Sequence, residues 1–566
     1  MGLLDSLRIG TSALLTQQAA LQVTGNNIAN VATPGYSRQE PLLAPTGTSI
    51  YGVGISSGAG VKLADVRRIV DDALQQRLND AFSQMNHYQV AQETLARVES
   101  LFNEGTDTDL SSALSELFNA FAQLVQSPES NSQRRLVVNQ AQTVVDELHR
   151  QATGLQDFRQ ELTARLSAGV QDADRLARNI AALNMQIVSA ESDGSTAASL
   201  RDQRDVAISQ LSKLIGVSAR EQSNGAVTLY LGSEALVYQG DCRGLTLVNR
   251  QVNGQVAQTV SFADNEGPVV LGGGQIAGLQ ATRDGELAQA SDRLDCLAEQ
   301  LIWQVNCIHS CGTGLQGVSQ VTSTYQVVDS SAELCTAQAG LHFAPVDGTF
   351  QITVTSAPAI STTTNLKVDQ SGDGTGMSLT DLAAALNAVA GVSATVDVAG
   401  RLTIASTDPN ATLSFGEDHS GVLAALGINT FFTGVDAGSI AVHEDIAADS
   451  GRLAAGVSGQ PGDGTNAGRL TDLGQTKLQA LGNLSLAEYH QRMNSDLAVW
   501  TAGARDTATA NQVVHQSLTA QRDSLSGVSL DEEAVNLMQY QRAFQGAARF
   551  ITVVDEMLQT LLGIAG

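Results

Sequence analysis

Three short stretches of this chain carry residue types that could do chemistry. Cys307-Ile308-His309-Ser310-Cys311 brings two thiols and an imidazole together, donors of the kind that hold zinc. No second Cys/His pair is available to close a tetrahedron, and the stretch ends a long helical pattern, so it reads as core packing or a surface thiol and no metal is expected. Gly54-Ile55-Ser56-Ser57-Gly58 has the spacing of a nucleophile elbow, which requires a strand, a sharp turn and a helix directly after the serine. Gly58 and Gly60 stand where that helix would start, so no serine nucleophile is expected. Val269-Val270-Leu271-Gly272-Gly273-Gly274, running on through Ala277, fits a loose dinucleotide-binding pattern, with Asp295 about twenty residues on. The next element is one helix of about thirty residues, Leu279 to His309, with no partner strand after it, so neither a nucleotide nor any other cofactor is expected.

Two further patterns have plain readings. Arg201-Asp202-Gln203-Arg204-Asp205, on a helix from Ala197 to Ile215, reads as a solvated face of mutually paired charges. Met1-Gly2 with Ser6 matches the myristoylation pattern literally, but the pattern is short and needs a eukaryotic host, so no lipid anchor is expected, while Asp5 and the lack of a basic leader argue against a secretory signal. With no acid/base pair, metal set or phosphate loop left standing, a non-enzyme is expected.

Composition narrows the class. The 566 residues suffice for three or four domains, each with its own core. A net charge of −26 argues against nucleic acid and against anionic membrane surfaces, which both select clustered Lys and Arg. No stretch approaches ~20 apolar residues, so no membrane insertion is expected. Cysteines at 242, 296, 307, 311 and 335 are odd in number and sparse, which excludes a disulfide framework as the organising device.

The elements that must position these residues are dominated by the C-terminal helix. Leu530, Leu537, Phe544, Ile551 and Leu558 repeat every seven residues, with Tyr540, Ala547, Val554 and Leu561 three places on. Ser529 with Glu532 reads as a capping box. Such a seam needs a partner helix, and Leu7, Leu14, Leu21 and Ile28 at the other end share the spacing. The expected assembly interface is therefore Leu7, Leu14, Leu21 and Ile28 with Leu537, Tyr540, Phe544, Ile551, Val554, Leu558 and Leu561.

Between the ends, helices are expected at Asp65–Phe102 (stripe Leu74, Leu78, Ala81, Met85, Tyr88, Leu95, Phe102), Leu110–Gln126, from Glu129 almost to Ser192, and from Ser485, capped by Glu488, to about Ser524. Strands are expected around 228–262, and a β-rich insert with one short helix at 313–433. The fold class is mainly α with β-rich insertions, as a nested rod-like multidomain chain. It comprises 1–36 with 527–566 as terminal coiled coil, 37–312 with 434–526 as long-helix bundle (β-rich at about 217–272), and 313–433 as inserted domain.

Asn26-Asn27-Ile28-Ala29-Asn30-Val31-Ala32-Thr33-Pro34-Gly35-Tyr36 reads physically as a helix stop followed by a turn. Asn26, Asn27, Asn30, Thr33, Pro34, Gly35 and Tyr36 also resemble the signature of bacterial flagellar axial proteins, the rod, hook and hook-associated subunits. Ser37-Arg38-Gln39, Arg201–Asp205, Phe431-Phe432-Thr433-Gly434, Leu537–Phe544 and Asp555-Glu556-Met557-Leu558 are similar to the hook-associated branch that forms the hook–filament junction. The resemblance implies a structural ring subunit outside the cell, exported without a cleaved leader through the flagellar export apparatus. It also implies as partners further copies of itself, the hook protein, the second junction protein and an export chaperone. A hook or distal-rod subunit shares only the termini of this pattern. A secreted hydrolase or adhesin using the 313–433 insert is the alternative from another class.

Overall fold

The computed structural model describes residues 3–51, 55–102, 109–192, 194–252, 255–356, 360–460 and 462–565. Met1 and Gly2 of the myristoylation pattern and Gly54 of the elbow pattern lie outside them. Helix α1 (Leu3–Ala29) leads into strand β1 (Gln39–Pro45), the hairpin β2 (Thr48–Tyr51) and β3 (Ile55–Gly58), and β4 (Val61–Arg68), which pairs back on β1. Helices α2 (Asp72–Phe102), α3 (Leu110–Gln126), α4 (Asn131–Ala190) and α5 (Ala198–Leu214) come after them. Next comes an antiparallel meander of β5 (Ser218–Glu221), β6 (Val227–Leu231), β7 (Glu234–Tyr238) and β8 (Asp241–Cys242), then the hairpin β9 (Leu245–Val252) and β10 (Gln255–Phe262).

After α6 (Gly274–Asp284) and α7 (Glu286–His309), the β-rich segment holds β11 (Gln320–Thr322), β12 (Gly348–Ser356), β13 (Ile360–Val368), α8 (Leu379–Asn387), β14 (Val392–Val396), β15 (Leu402–Ser406) and β16 (Thr412–Gly416). These strands form two three-stranded sheets, ordered β11-β15-β14 and β13-β12-β16. Short α9 (Val422–Leu426), the pair β17 (Phe432–Thr433) and β18 (Ala441–Val442), α10 (Glu444–Ala448) and α11 (Thr465–Leu473) lead to α12 (Leu486–Ser526) and α13 (Leu530–Ala565). The chain is mainly α with β-rich insertions. It forms two compact units, 1–94 with 161–284 and 502–566, and 95–160 with 285–501.

Local chemistry sets the helix ends. Asp109 accepts from the Ser112 amide at 2.7 Å to start α3, whose Leu110, Leu114, Leu117, Phe121 and Leu124 are buried at helical spacing. Ser485 and Glu488 exchange bonds of 2.9 and 3.2 Å and start α12. Ser378 and Asp381 do the same for α8, which packs on an insert core built from Phe350, Ile352, Leu382, Leu386, Leu402, Ile404, Leu413 and Phe415.

Several expectations are corrected. The helix expected from Asp65 begins at Asp72. Val61–Arg68 is spent on pairing with β1, and Asp71 caps the helix through the Leu74 amide at 3.0 Å. The stripe on α2 is not continuous. Between Leu78 and Val90 the buried residues are Asn79, Ser83 and Asn86, while Met85 and Tyr88 are only half-buried. There the backbone of Gly272 and Gly273 lies against α2, with Gln84 donating to the Gly272 carbonyl at 2.7 Å. A Cβ on Gly273 would sit 2.6 Å from the Ser83 hydroxyl, so the glycine run serves close packing of chain on chain. The single helix Leu279–His309 is broken at Gly285, which adopts φ −102° and ψ −97°. Ser56 lies in β3, which pairs antiparallel with β2 and is followed by strand β4 where an elbow needs a helix.

Candidate assembly surface

Helices α1 and α13 pack antiparallel, with Gly10 beside Ile551 and Asn27 beside Glu533. A Cβ at Gly10 would meet the Ile551 Cγ1 at 2.7 Å, so the backbone of α1 comes close only because this position lacks a side chain. Leu7, Leu14, Leu21 and Ile28 are half-buried, and the buried positions of α1 are Gly10, Thr16, Ala20, Thr24 and Asn27. Thr16 donates to the Val61 carbonyl on β4 at 3.1 Å, which holds α1 to the small sheet as well as to α13. Along α13, Leu537, Tyr540, Phe544, Ile551 and Leu558 are half-buried and Val554 is buried, whereas Leu530 and Leu561 are exposed.

Leu561 belongs to a second stripe. Val553, Met557, Leu561 and Ile564 fall on one face at helical spacing, and each is 52 to 78 % exposed. The seam and this stripe make α13 apolar on two faces, of which α1 covers one. Both stripes obey the same helical repeat in this stretch of residues, and their burial separates them.

At the other end of the helix pair, the resemblance-bearing residues form one polar cluster. The Asn27 amide donates to the Gln39 carbonyl at 2.8 Å and to the Glu533 carboxylate at 3.1 Å. Its oxygen accepts from the Gln39 amide at 3.0 Å and from the Tyr36 hydroxyl at 2.8 Å. Asn27 lies within α1 and joins the helix to the strand beyond the turn, so it is a buried tie where a helix stop was expected. The left-handed residue is Gly35 at φ +79°, and a Cβ there would collide with Val206 of α5. Arg38 completes the tie, pairing with Glu533 at 2.9 Å and with Glu532 at 2.7 Å. The capping box expected at Ser529 is therefore only half made. The Glu532 amide is 3.5 Å from the Ser529 hydroxyl, and its carboxylate is directed to Arg38.

The Arg/Asp run is not solvated. Asp202 is 8 % and Arg204 is 1 % exposed. Arg68 of β4 pairs with Asp202 at 2.9 Å and with Asp205, and Arg204 donates to the Gly225 carbonyl at 2.6 Å. The Ser37 amide points to the Asp202 carboxylate at 3.5 Å, placing the two motifs side by side. Burial raises the Asp202 carboxyl against the opposing pull of Arg68. Burial, helped by Asp202 and Glu533, pushes the Tyr36 phenol up to about 12, which keeps it a neutral donor to Asn27. The sequence does not single out Glu533 or Arg68, because partners so distant along the chain leave no periodic mark.

The cysteine–histidine stretch is interior. The imidazole of His309 is bonded at both nitrogens, Nδ1 donating to the Asn429 carbonyl at 2.8 Å and Nε2 accepting from the Ala454 amide at 2.9 Å. Burial lowers it to about 4 and raises the Cys307 thiol far above its usual range. All five cysteines are free, and no group of three or more metal-ligating side chains occurs among the described residues. Among those residues no helix is long and apolar enough to cross a membrane.

Comparison with known proteins gives one consistent picture. Residues 95–322 match the family described as flagellar hook-associated protein FlgK helical domain. Residues 7–36 match the flagella basal body rod protein family, and 520–564 the C-terminal family of flagellar basal body rod FlgEFG proteins. The chain is 25 % identical over 565 residues to flagellar hook-associated protein 1 of Salmonella typhimurium, covering 98 % of each. It is 24 % identical to the protein of that name from Bacillus subtilis, over 99 % of this chain and 98 % of the relative. The flagellar hook junction protein FlgK from Burkholderia pseudomallei has a similar fold, with a TM-score of 0.50 at 18 % identity, over 80 % of this chain and all of that one.

Proposed function

We propose, for a chain that belongs to the flagellar hook-associated protein 1 family, that it is the structural subunit at the junction of hook and filament and that its terminal helix pair drives its assembly. The observation that carries this reading is the apolar outer stripe of α13, Val553, Met557, Leu561 and Ile564, left uncovered after α1 has taken the opposite seam. In this reading Leu7, Leu14, Leu21 and Ile28 with Leu537, Tyr540, Phe544, Ile551, Val554 and Leu558 build the pair, and Leu561 continues the surface that neighbouring copies bury. Asn26, Asn27, Asn30, Thr33, Pro34, Gly35 and Tyr36 set the angle at which the chain leaves it.

The implied partners are further copies in a ring, the hook protein on one side and the second junction protein on the other. An export chaperone and the flagellar export apparatus would handle the chain on its way to an extracellular position. The division into 1–36 with 527–566, 37–312 with 434–526, and 313–433 belongs to the same proposal. No reaction is assigned. The test is electron microscopy of flagella from a strain lacking this protein. Hooks without filaments support the junction role, and normal filaments overturn it.

A further inference from the structure

One cavity is not explained by an assembly role. About 480 Å³ in volume, it lies in the unit formed by 95–160 and 285–501, between the segment 312–323, Arg401, strand β16 and residues 429–452. This is the size of a small-ligand site. Its charge is unlike that of the chain. Where the whole sequence has 58 acidic against 32 basic residues, the lining holds Arg401 and Arg452 against one carboxylate, Asp445. Arg452 pairs with Asp445 at 2.7 Å, while the partner of Arg401, Asp397 at 3.2 Å, lies outside the lining. The other polar groups are neutral hydroxyls, amides and the half-buried His443, and Val321 and Leu413 add an apolar wall.

A second observation points to an occupant. Thr430, 2 % exposed and part of the lining, has a buried hydroxyl with no hydrogen-bond partner. An unmade bond of this kind is costly, and a polar group of a ligand in the cavity would supply it. The aggregate of guanidiniums at the rim, hydroxyls inside and an aliphatic wall matches a pyranose ring bearing a carboxylate. Arginine takes the carboxylate, hydroxyls meet hydroxyls, and the wall takes the C–H face.

We infer that this cavity binds an acidic sugar of the hexuronate class. The ligand could be a free sugar or the end of an acidic polysaccharide, and the two share the recognition chemistry. The test is calorimetric titration of the full-length protein with sodium glucuronate, beside glucose, which lacks the carboxylate, and acetate, which lacks the ring. Saturable binding is expected, with a Kd near or below about 1 mM and at least ~10-fold weaker binding of glucose and acetate. A uronate oligomer binding more tightly than the monomer would identify the polysaccharide as the source, and equal affinity would identify the free sugar. Arg401→Gln and Arg452→Gln should each weaken binding about 10-fold or more, and Thr430→Val should weaken it while keeping the volume. Each variant is to be melted beside the parent, so that loss of binding counts only with an unchanged thermal midpoint. No saturable heat with any probe up to about 20 mM, glucose binding as well as glucuronate, or both arginine variants binding like the parent would each overturn the assignment.

Discussion

The amide of Asn27 donates to the carboxylate of Glu533 at 3.1 Å, across 506 positions of the chain. That bond, with the Arg38–Glu533 pair at 2.9 Å, joins the first helix, the strand after it and the last helix at one point. Because Asn27 and Glu533 are both 1 % exposed, each would leave the other unpaired away from water if removed.

Asn27→Ala should therefore cost roughly 3 kcal/mol, the order expected for losing several bonds and stranding their partners. Chemical denaturation of the variant beside the parent checks this. A change below about 0.5 kcal/mol, the range of an ordinary surface substitution, would contradict the tie.

Gly10→Val should separate the terminal helices, since even a Cβ meets Ile551 at 2.7 Å. Overpacking of this kind costs typically about 1–3 kcal/mol. Hydrogen exchange should show faster exchange in α1 and α13 while the insert core around Phe350 and Ile404 keeps its protection. Unchanged protection in α13 would mean that Gly10 is not the point of closest approach.

How far the sequence is legible depends on which forces leave a local trace. Capped and striped helices can be read almost to the residue, as with Leu110–Gln126 before Ser127-Pro128 and α12 after Ser485 and Glu488. The strands Val227–Leu231 and Gln255–Phe262 show in the same way through β-branched residues between turns. Buried Ser83 and Asn86 are not legible, because they answer to the approach of the remote segment at Gly273 and Gln275. The Arg201–Asp205 run misleads for the same reason. Its charges look paired among themselves until Arg68 on a distant strand claims Asp202 and Asp205. In α13 the heptad positions name the seam, yet the outer stripe of Val553, Met557 and Ile564 shares the same helical repeat and becomes evident as a free face only once α1 occupies the other.

The segment 313–433 should fold alone, because Phe350, Ile352, Leu382, Leu402, Ile404 and Phe415 bury one another within it. A cooperative thermal transition of the isolated segment is expected. Its absence would move the boundary.

Acid should weaken the unit that holds His309 and His490. Burial lowers both to about 4 from an ordinary 6.5, so the folded chain binds fewer protons there than the unfolded chain. Their stabilisation is complete above pH 6.5 and is lost as pH falls from there toward 4, by about 3 kcal/mol each. Histidine proton resonances recorded against pH check the cause. If either ring titrates near 6.5 in the folded protein, the buried neutral assignment fails.

The most direct test of the assembly role uses the outer face of α13, leaving its seam intact. Val553 is 52 % exposed, so Val553→Asp should leave the monomer's melting and the α1–α13 pair as they are. Filaments per cell are then counted by electron microscopy in a strain carrying only that variant, with its cellular level confirmed. Hooks without filaments, beside a monomer that melts like the parent, are expected. Filaments in normal number would contradict assembly through this stripe.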